Sequence, residues 1–338
     1  MRSYGEDKGL DHIGMSDGFE DWSVSSRLRP RREDFPFDID WAVSSTVALR
    51  AHVPPDAFTA HTLGTLRVGH GVTIGEDLVL TIGYLVTEAE QVWMQTFDNR
   101  VVAGHVLGFD AATGFGLVRA LGQLGAPALP LGDSREVMAG DKLIVAGGGL
   151  ARRSITAHLV ARHEFAGYWE YVLDDALFTA PGHPLWSGAA LIGPTGKLVG
   201  LGSLQMLQET ESGKTTTINM MVPIELLPPI LNDLAGGASG RPARPWLGVL
   251  AEEVSGRVVI VGATKNGPAD RADLSQGDII MAVGGEEVGA LADFYRAVWA
   301  LGPAGVDVPL TLARDGDVFP VTVRSRDRRA FLKAPKMH

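Results

Sequence analysis

The sequence predicts a mainly β chain built as two units, and three observations carry that expectation. From Phe37 onward, short runs rich in Val, Leu and Ile recur between Gly, Pro, Asp and Asn, the pattern of brief strands joined by tight turns. The chain holds 42 glycines and 19 prolines, and they fall largely between those runs. Near two-thirds of its length comes Ala-Gly-Gly-Ala-Ser-Gly-Arg-Pro-Ala-Arg-Pro over 235–245, which has no bulky apolar residue and reads as a linker. A length of 338 residues also exceeds what one small core organises.

Taken in order, residues 1–36 show neither helical nor strand periodicity and are expected to form a flexible tail. The first unit, 37–234, carries the runs Val43–Ala51, Thr62–Val68, Val72–Ile74, Leu78–Thr81, Val92–Phe97 and Val101–Leu107. It continues with Gly116–Ala120, Lys142–Ala146, Ile155–Ala161, Tyr168–Leu173, Ala189–Ile192 and Leu198–Leu204. Short strands at this spacing predict an all-β barrel or sandwich. A short helix over Ile224–Leu234, limited by prolines, closes the unit.

The second unit, 246–325, mixes strands with a helix. Trp246-Leu-Gly-Val249 opens a strand, Val258–Ala263 forms another, and Asn266-Gly-Pro-Ala269 turns into a short helix ending near Leu274. Gln276-Gly-Asp-Ile-Ile280 restarts a strand, Val283–Val288 makes a tight turn, and Leu291–Leu301 has helical spacing. Asp315-Gly316 between Leu310–Arg314 and Val318–Val323 marks a hairpin. Residues 326–338 are basic and are expected to fray.

Composition narrows function before any motif does. A formal charge of −10 lacks the basic footprint that nucleic-acid binding needs, so no nucleic-acid partner is expected. The absence of cysteine excludes disulfides, thiol catalysis and Cys-ligated zinc. No histidine pair has a helix-borne metal spacing, and neither a metal nor a cofactor is expected. Gly147-Gly-Gly149 is followed by no Lys-Ser/Thr, so it is a turn and not a phosphate loop. No apolar run reaches the ~18–20 residues of a membrane span. Read from Met1, no secretory segment is seen, which places the chain in the cytoplasm; a start further upstream restores the periplasmic alternative.

The second unit resembles a PDZ domain of the HtrA type, on the Leu247-Gly248-Val249 loop, the Gly-Pro-Ala turn, the Gly-Asp-Ile-Ile strand and the Leu291–Leu301 helix. The resemblance implies that peptide or protein C-termini bind here. A glycine at 248 lets successive N–H groups converge on a terminal carboxylate, and the peptide adds as a strand beside Val249. Phe294 and Val298, four apart on one helix face, either line the groove or fill the core.

With that module in place, residues from about Thr46 to Leu231 are similar to the HtrA protease domain. That implies a chymotrypsin-like double β-barrel followed by an α+β PDZ domain. The resembling family reads Thr-Asn-x-His-Val-Val at its catalytic histidine; this chain reads Thr81-Ile-Gly-Tyr-Leu-Val86, so Tyr84 replaces the base. Around Gly108–Val118 the triad aspartate is replaced by Gly114, while Asp110 matches an earlier, non-catalytic acid. Counting forward from Asp175 puts His183 at the nucleophile, and counting back from Gly196-Lys-Leu-Val-Gly200 puts Ser187 there. Ser187-Gly-Ala-Ala-Leu191 favours the second register. Leu185 then replaces the glycine whose N–H helps hold the oxyanion, in a conformation that a leucine resists.

A triad serine without its base and acid is a poor nucleophile. His70, His105 and His183 are expected to be surface or strand histidines rather than substitutes. The expected function is therefore that of an HtrA-like pseudoprotease, a non-catalytic adaptor or chaperone-like platform in protein quality control that binds C-termini through its PDZ domain. The resemblance also implies a homotrimer. Two rivals remain: an active serine endopeptidase with a rearranged site, and a purely structural interaction protein.

Overall fold

A computed structural model describes residues 22–209, 213–237 and 242–333. Eighteen strands among them form two closed barrels and one open sheet. The first barrel uses β1 (Thr46–His52), β2 (Leu66–Thr73), β3 (Leu78–Ile82), β4 (Gln91–Gln95), β5 (Val101–Phe109) and β6 (Phe115–Ala120), in the order β1-β2-β3-β6-β5-β4. The second uses β7 (Lys142–Ala146), β8 (Ile155–Gly167), β9 (Tyr171–Ala180), β10 (Ala190–Ile192), β11 (Leu198–Glu209) and β12 (Thr215–Pro223), in the order β10-β11-β12-β9-β8-β7. Closure removes every free edge, and the inward residues of both barrels are the aliphatic side chains of the short runs.

The third unit is a sheet ordered β13 (Val249–Val254), β14 (Arg257–Ala263), β15 (Ile279–Val283), β17 (Asp307–Arg314) and β18 (Asp317–Arg324), with β16 (Glu286–Glu287) paired to β15. The described residues also form six α-helices: α1 (Ile39–Ser44), α2 (Ala60–Leu63), α3 (Gly83–Val86), α4 (Leu231–Ala235), α5 (Pro268–Arg271) and α6 (Leu291–Ala300). Helix α6 buries Leu291, Ala292, Phe294, Tyr295 and Val298 against the sheet. The mainly β fold, a chymotrypsin-like pair of barrels followed by a PDZ domain, is the one expected.

Several local expectations need correction. The run Val43–Ala51 begins inside α1, because the Asp38 carboxylate accepts the Trp41 N–H and caps a helical turn before β1. The helix expected over Ile224–Leu234 splits into a 3₁₀ turn at Ile224–Leu226 and α4, as Pro228-Pro229 interrupt it. Residues 1–21 of the expected tail lie outside the described residues, but 22–36 are anchored by the buried Val24 and Phe35. Val24 is buried on the second barrel's core, its N–H donating to the Arg152 carbonyl, and Trp22 and Leu28 pack beside it.

At the other end, 334–338 lie outside the described residues, and 326–333 do not fray. Phe331 packs edge-on to Trp246 at 4.9 Å and near Phe58 at 5.7 Å, while Lys333 N–H donates to Glu88. Three aromatic rings gathered at one seam bury enough apolar area to order a segment that the basic residues alone would leave in water. Of the linker, 238–241 lie outside the described residues.

Candidate functional site

The site forms where the two barrels meet. Strand β3 delivers α3, which carries Tyr84, and the 181–189 loop between β9 and β10 carries Ser187. The main chain of α3 is fixed from beneath by the buried Arg67, whose guanidinium donates to the Tyr84 carbonyl at 2.6 Å and the Thr87 carbonyl at 2.9 Å. The Ser187 loop is clamped to β2, since His70 N–H donates to the Ser187 carbonyl at 2.8 Å.

Tyr84 and Ser187 are in direct contact. The phenol oxygen lies 2.8 Å from Ser187 Oγ and 2.8 Å from the Ser203 carbonyl oxygen. A phenol has one proton and a carbonyl only accepts, so the proton is assigned to Ser203 and the serine hydroxyl donates to Tyr84 Oη. Desolvation pushes the Tyr84 phenol above its ordinary value, and hydrogen bonds to Ser187 and Trp186 offset this only partly. A phenol oxygen of this kind accepts a hydrogen bond without being able to take the proton.

Gly114 sits beside the same turn. Its carbonyl accepts the N–H of Gly83, the residue before Tyr84, at 2.6 Å. The backbone at Gly114 is left-handed, φ +85°, and a Cβ there would stand 3.1 Å from Tyr171 Oη and 3.5 Å from Ile82 Cδ1. The buried Tyr171 donates its hydroxyl proton to the Thr113 carbonyl at 2.8 Å. Burial pushes this phenol up as well. The space beside Gly114 is thus taken by a second neutral, satisfied tyrosine.

His183, the other candidate at the nucleophile, is completely buried. Its Nε2 contacts the Arg153 carbonyl at 2.7 Å, and Leu185 N–H donates to its Nδ1 at 3.1 Å. Burial lowers its pKa; in the neutral ring with its proton on Nε2 the Arg153 carbonyl and the Leu185 N–H are satisfied, while the Leu185 carbonyl, 2.8 Å from Nδ1, gains no hydrogen bond from that tautomer. The expectation of a surface or strand histidine does not hold for His183: it is an internal loop residue that ties the 181–189 loop to the 3₁₀ turn at Ala151–Arg153. His70, on β2, is also buried, edge-on to His183 at 6.1 Å and tilted over Trp22 at 5.9 Å. Burial drives it down to about 3, followed in effect by the fields of His183 and Arg153. His105 lies on β5.

Leu185 does not take the left-handed backbone that a glycine there would permit; it is absent from the positive-φ residues among those described. Its N–H is turned to His183 Nδ1 instead. The strain anticipated from the sequence is therefore not present.

In the third unit, Leu247, Gly248 and Val249 form one loop in which Gly248 is left-handed, φ +72°, and the three N–H groups converge. Phe294 and Val298 are both buried in the PDZ core, so they fill it rather than stand open in an empty groove.

Residues 69–201 match the trypsin-like peptidase domain family, and residues 245–324 match the PDZ domain family. The fold and site therefore define a trypsin-like, PDZ-bearing chain. Among similar sequences is a probable periplasmic serine endoprotease, DegP-like, of Hahella chejuensis, 26% identical over 273 residues, covering 75% of this chain and 56% of the relative. Another of the same description, from Ectopseudomonas mendocina, is 27% identical over 267 residues, covering 74% of this chain and 54% of the relative. This chain spans little more than half the length of those relatives.

Among solved structures, the HtrA-type protease AlgW with a decapeptide has a TM-score of 0.52 at 20% identity, over 88% of this chain and 98% of that one. The serine endoprotease from Yersinia pestis gives 0.52 at 22% identity, over 86% and 98%. These two are likenesses of fold. The chain thus carries a trypsin-like peptidase domain followed by a PDZ domain, and it is similar in sequence to DegP-like proteases and in fold to HtrA-type ones.

Proposed function

We propose that this HtrA-type chain is a pseudoprotease that binds protein C-termini through its PDZ domain, with the barrels serving as a non-catalytic platform in protein quality control. The contact that carries the reading is the Tyr84 phenol on the Ser187 hydroxyl, in the place where the resembling family has a histidine. Ser187 has no base to take its proton, and Gly114 offers no carboxylate to orient one. Losing the serine or histidine of such a site costs about a factor of 10⁶ in turnover, and a missing oxyanion donor costs roughly 10²–10³ on its own.

Two features support the binding half of the reading. The Leu247–Val249 loop has the donor geometry for a carboxylate, and one fold relative was solved with a decapeptide. The curated relatives are described as periplasmic, and we place this chain in the same compartment. A trimer built through the barrels belongs to the same proposal on family likeness alone, and sedimentation equilibrium tests it.

The activity test is a fluorophosphonate probe together with casein cleavage. Neither Ser187 labelling nor cleavage is expected from the wild-type chain. Labelling that disappears in Ser187→Ala would overturn the pseudoprotease reading and establish a rearranged active site.

A further inference from the structure

The PDZ carboxylate loop is already holding a carboxylate, and it comes from the same chain. Glu170, at the tip of the β8–β9 hairpin of the second barrel, accepts the Gly248 N–H at 2.6 Å and the Leu247 and Val249 N–H groups at 3.1 Å each, all on Oε1; Oε2 also accepts from Leu247 at 3.1 Å. Two residues earlier, the Tyr168 carbonyl accepts the N–H of Ala251, two residues beyond Val249 on β13, at 3.0 Å. Tyr168–Glu170, the turn that joins β8 to β9, therefore sets one carbonyl against β13 and one carboxylate in its loop, two of the contacts a strand-adding peptide would make with its last residues.

Side chains complete the imitation. Val172 is buried within the PDZ core and Ala166 packs against it, although both belong to barrel strands. Helix α6 packs on β8 and β9, so the hairpin lies between β13 and α6, where a peptide would go. Arg296 of α6 pairs with Glu164 at 2.6 Å on one arm of the hairpin and with Asp174 on the other. The turn has an unusual backbone: Glu170 is left-handed, φ +62°, which directs its side chain where a terminal carboxyl would point.

We infer that the 164–174 hairpin is an internal ligand of the PDZ domain, and that an external C-terminus binds only by displacing it. This rests on the proposed peptide recognition but is separable from it. If the groove is open for only a small fraction of the time, the apparent affinity of any peptide is reduced by that fraction. The partner class follows from the imitation: an extended segment with a free terminal carboxylate.

The experiment uses the full chain and fluorescein-labelled Ala-Gly-Tyr-Trp-Val as the free acid, with its C-terminal amide as control. Hydrogen exchange of the peptide-free protein is followed at residues 247–251. The wild type should protect those amides and bind the acid weakly. Glu170→Ala should lose the protection and bind the acid at least about tenfold more tightly, with no gain for the amide. Arg296→Ala, outside the carboxylate loop, should shift both readouts the same way by less. Unchanged protection in Glu170→Ala, or equal acid affinity in wild type and Glu170→Ala, overturns the internal ligand. Loss of protection without binding by any member of a C-terminal peptide library leaves the internal ligand standing and overturns the peptide-recognition reading instead.

Discussion

Substitution of Gly114 by aspartate would put a carboxylate back at the position the resembling family uses for its triad acid, and the surroundings set its cost. The left-handed backbone, φ +85°, disfavours any residue with a Cβ by about 1–2 kcal/mol. The new Cβ would meet Tyr171 Oη at 3.1 Å, so the phenol must give by a few tenths of an ångström at the expense of its 2.8 Å bond to the Thr113 carbonyl. Leaving a buried hydroxyl unsatisfied costs about 1–3 kcal/mol. Gly114→Asp should therefore destabilise by about 2–5 kcal/mol before any cost of the carboxylate itself. Urea unfolding at an unchanged slope measures it as a shift of midpoint. Gly114→Ala, which carries the same Cβ, separates the cost of backbone and crowding from that of the carboxylate. Adding Tyr171→Phe to Gly114→Asp removes both the crowding atom and its strained hydrogen bond, and should recover about 1–3 kcal/mol. A Gly114→Asp variant within about 0.5 kcal/mol of wild type, below the range expected from strain alone, would refute the reasoning and show that the acid's place is still open.

Tyr84→Phe removes the donor to the Ser203 carbonyl and the acceptor of the Ser187 hydroxyl, so it should destabilise by about 1–3 kcal/mol in the same urea assay without creating fluorophosphonate reactivity. Glu88 accepts from Phe58, Thr59 and Lys333, and Glu88→Ala should leave those donors unpaired, cost about 1–3 kcal/mol and speed hydrogen exchange over 326–333. Burial acts to raise that carboxyl, yet its hydrogen bonds hold it below the ordinary value; its contribution is present above that value and lost as pH falls through the lowered one, a loss that Glu88→Gln should not show. Burial pushes the docked Glu170 carboxyl up to about 7, offset in part by the three loop N–H groups and Arg328. A raised acid stabilises the closed groove fully below its free value and loses that contribution as pH climbs through 7, so affinity for the labelled acid peptide should rise between pH 5.5 and 8. Tyr295 faces Glu170, Asp110, Arg244, Asp327, Arg328 and Arg329 line the same cleft, and Arg296, Glu164 and Asp174 flank the hairpin; Glu170→Gln should flatten the profile if Glu170 is its source.

The fold was readable where local chemistry dictates the backbone. Asp315 and Gly316 are both left-handed, φ 54° and 94°, as a two-residue hairpin between β17 and β18 requires, and the turn residues announce it. The spacing of Phe294, Tyr295 and Val298 likewise declares the buried face of α6. Tyr168–Leu173 read as one strand, because nothing in Tyr-Trp-Glu marks a turn; the left-handed Glu170 that breaks it is held by three N–H groups nearly eighty residues away. Resemblance to a family's motifs singled out Tyr84, Gly114 and Ser187, and the structure puts the first of them on the third. Resemblance could not reveal Tyr171 beside Gly114, or the two carbonyls that satisfy the phenols, since those are contacts between strands far apart in the chain.

The manner of replacement bears on why the barrels persist. A site that decayed by drift toward small residues would leave a void at the barrel interface, and residual cavities cost about 24 cal/mol per Å³. Here two phenols are packed in, each giving its proton to a main-chain carbonyl, and both are held neutral by burial. Exchanging a buried charged network for satisfied neutral groups is often neutral or stabilising. On the pseudoprotease reading proposed above, the interface has been refilled with packed, hydrogen-bonded groups rather than left open, which keeps the barrels rigid. Stiffness is what an internal ligand needs: Tyr168–Glu170 is carried on β8 and β9, both full barrel strands, so little conformational entropy is lost when it enters the PDZ groove. A free peptide pays that ordering cost in full. A barrel without proteolysis still does physical work if it presents a pre-ordered competitor that every incoming C-terminus has to outbind.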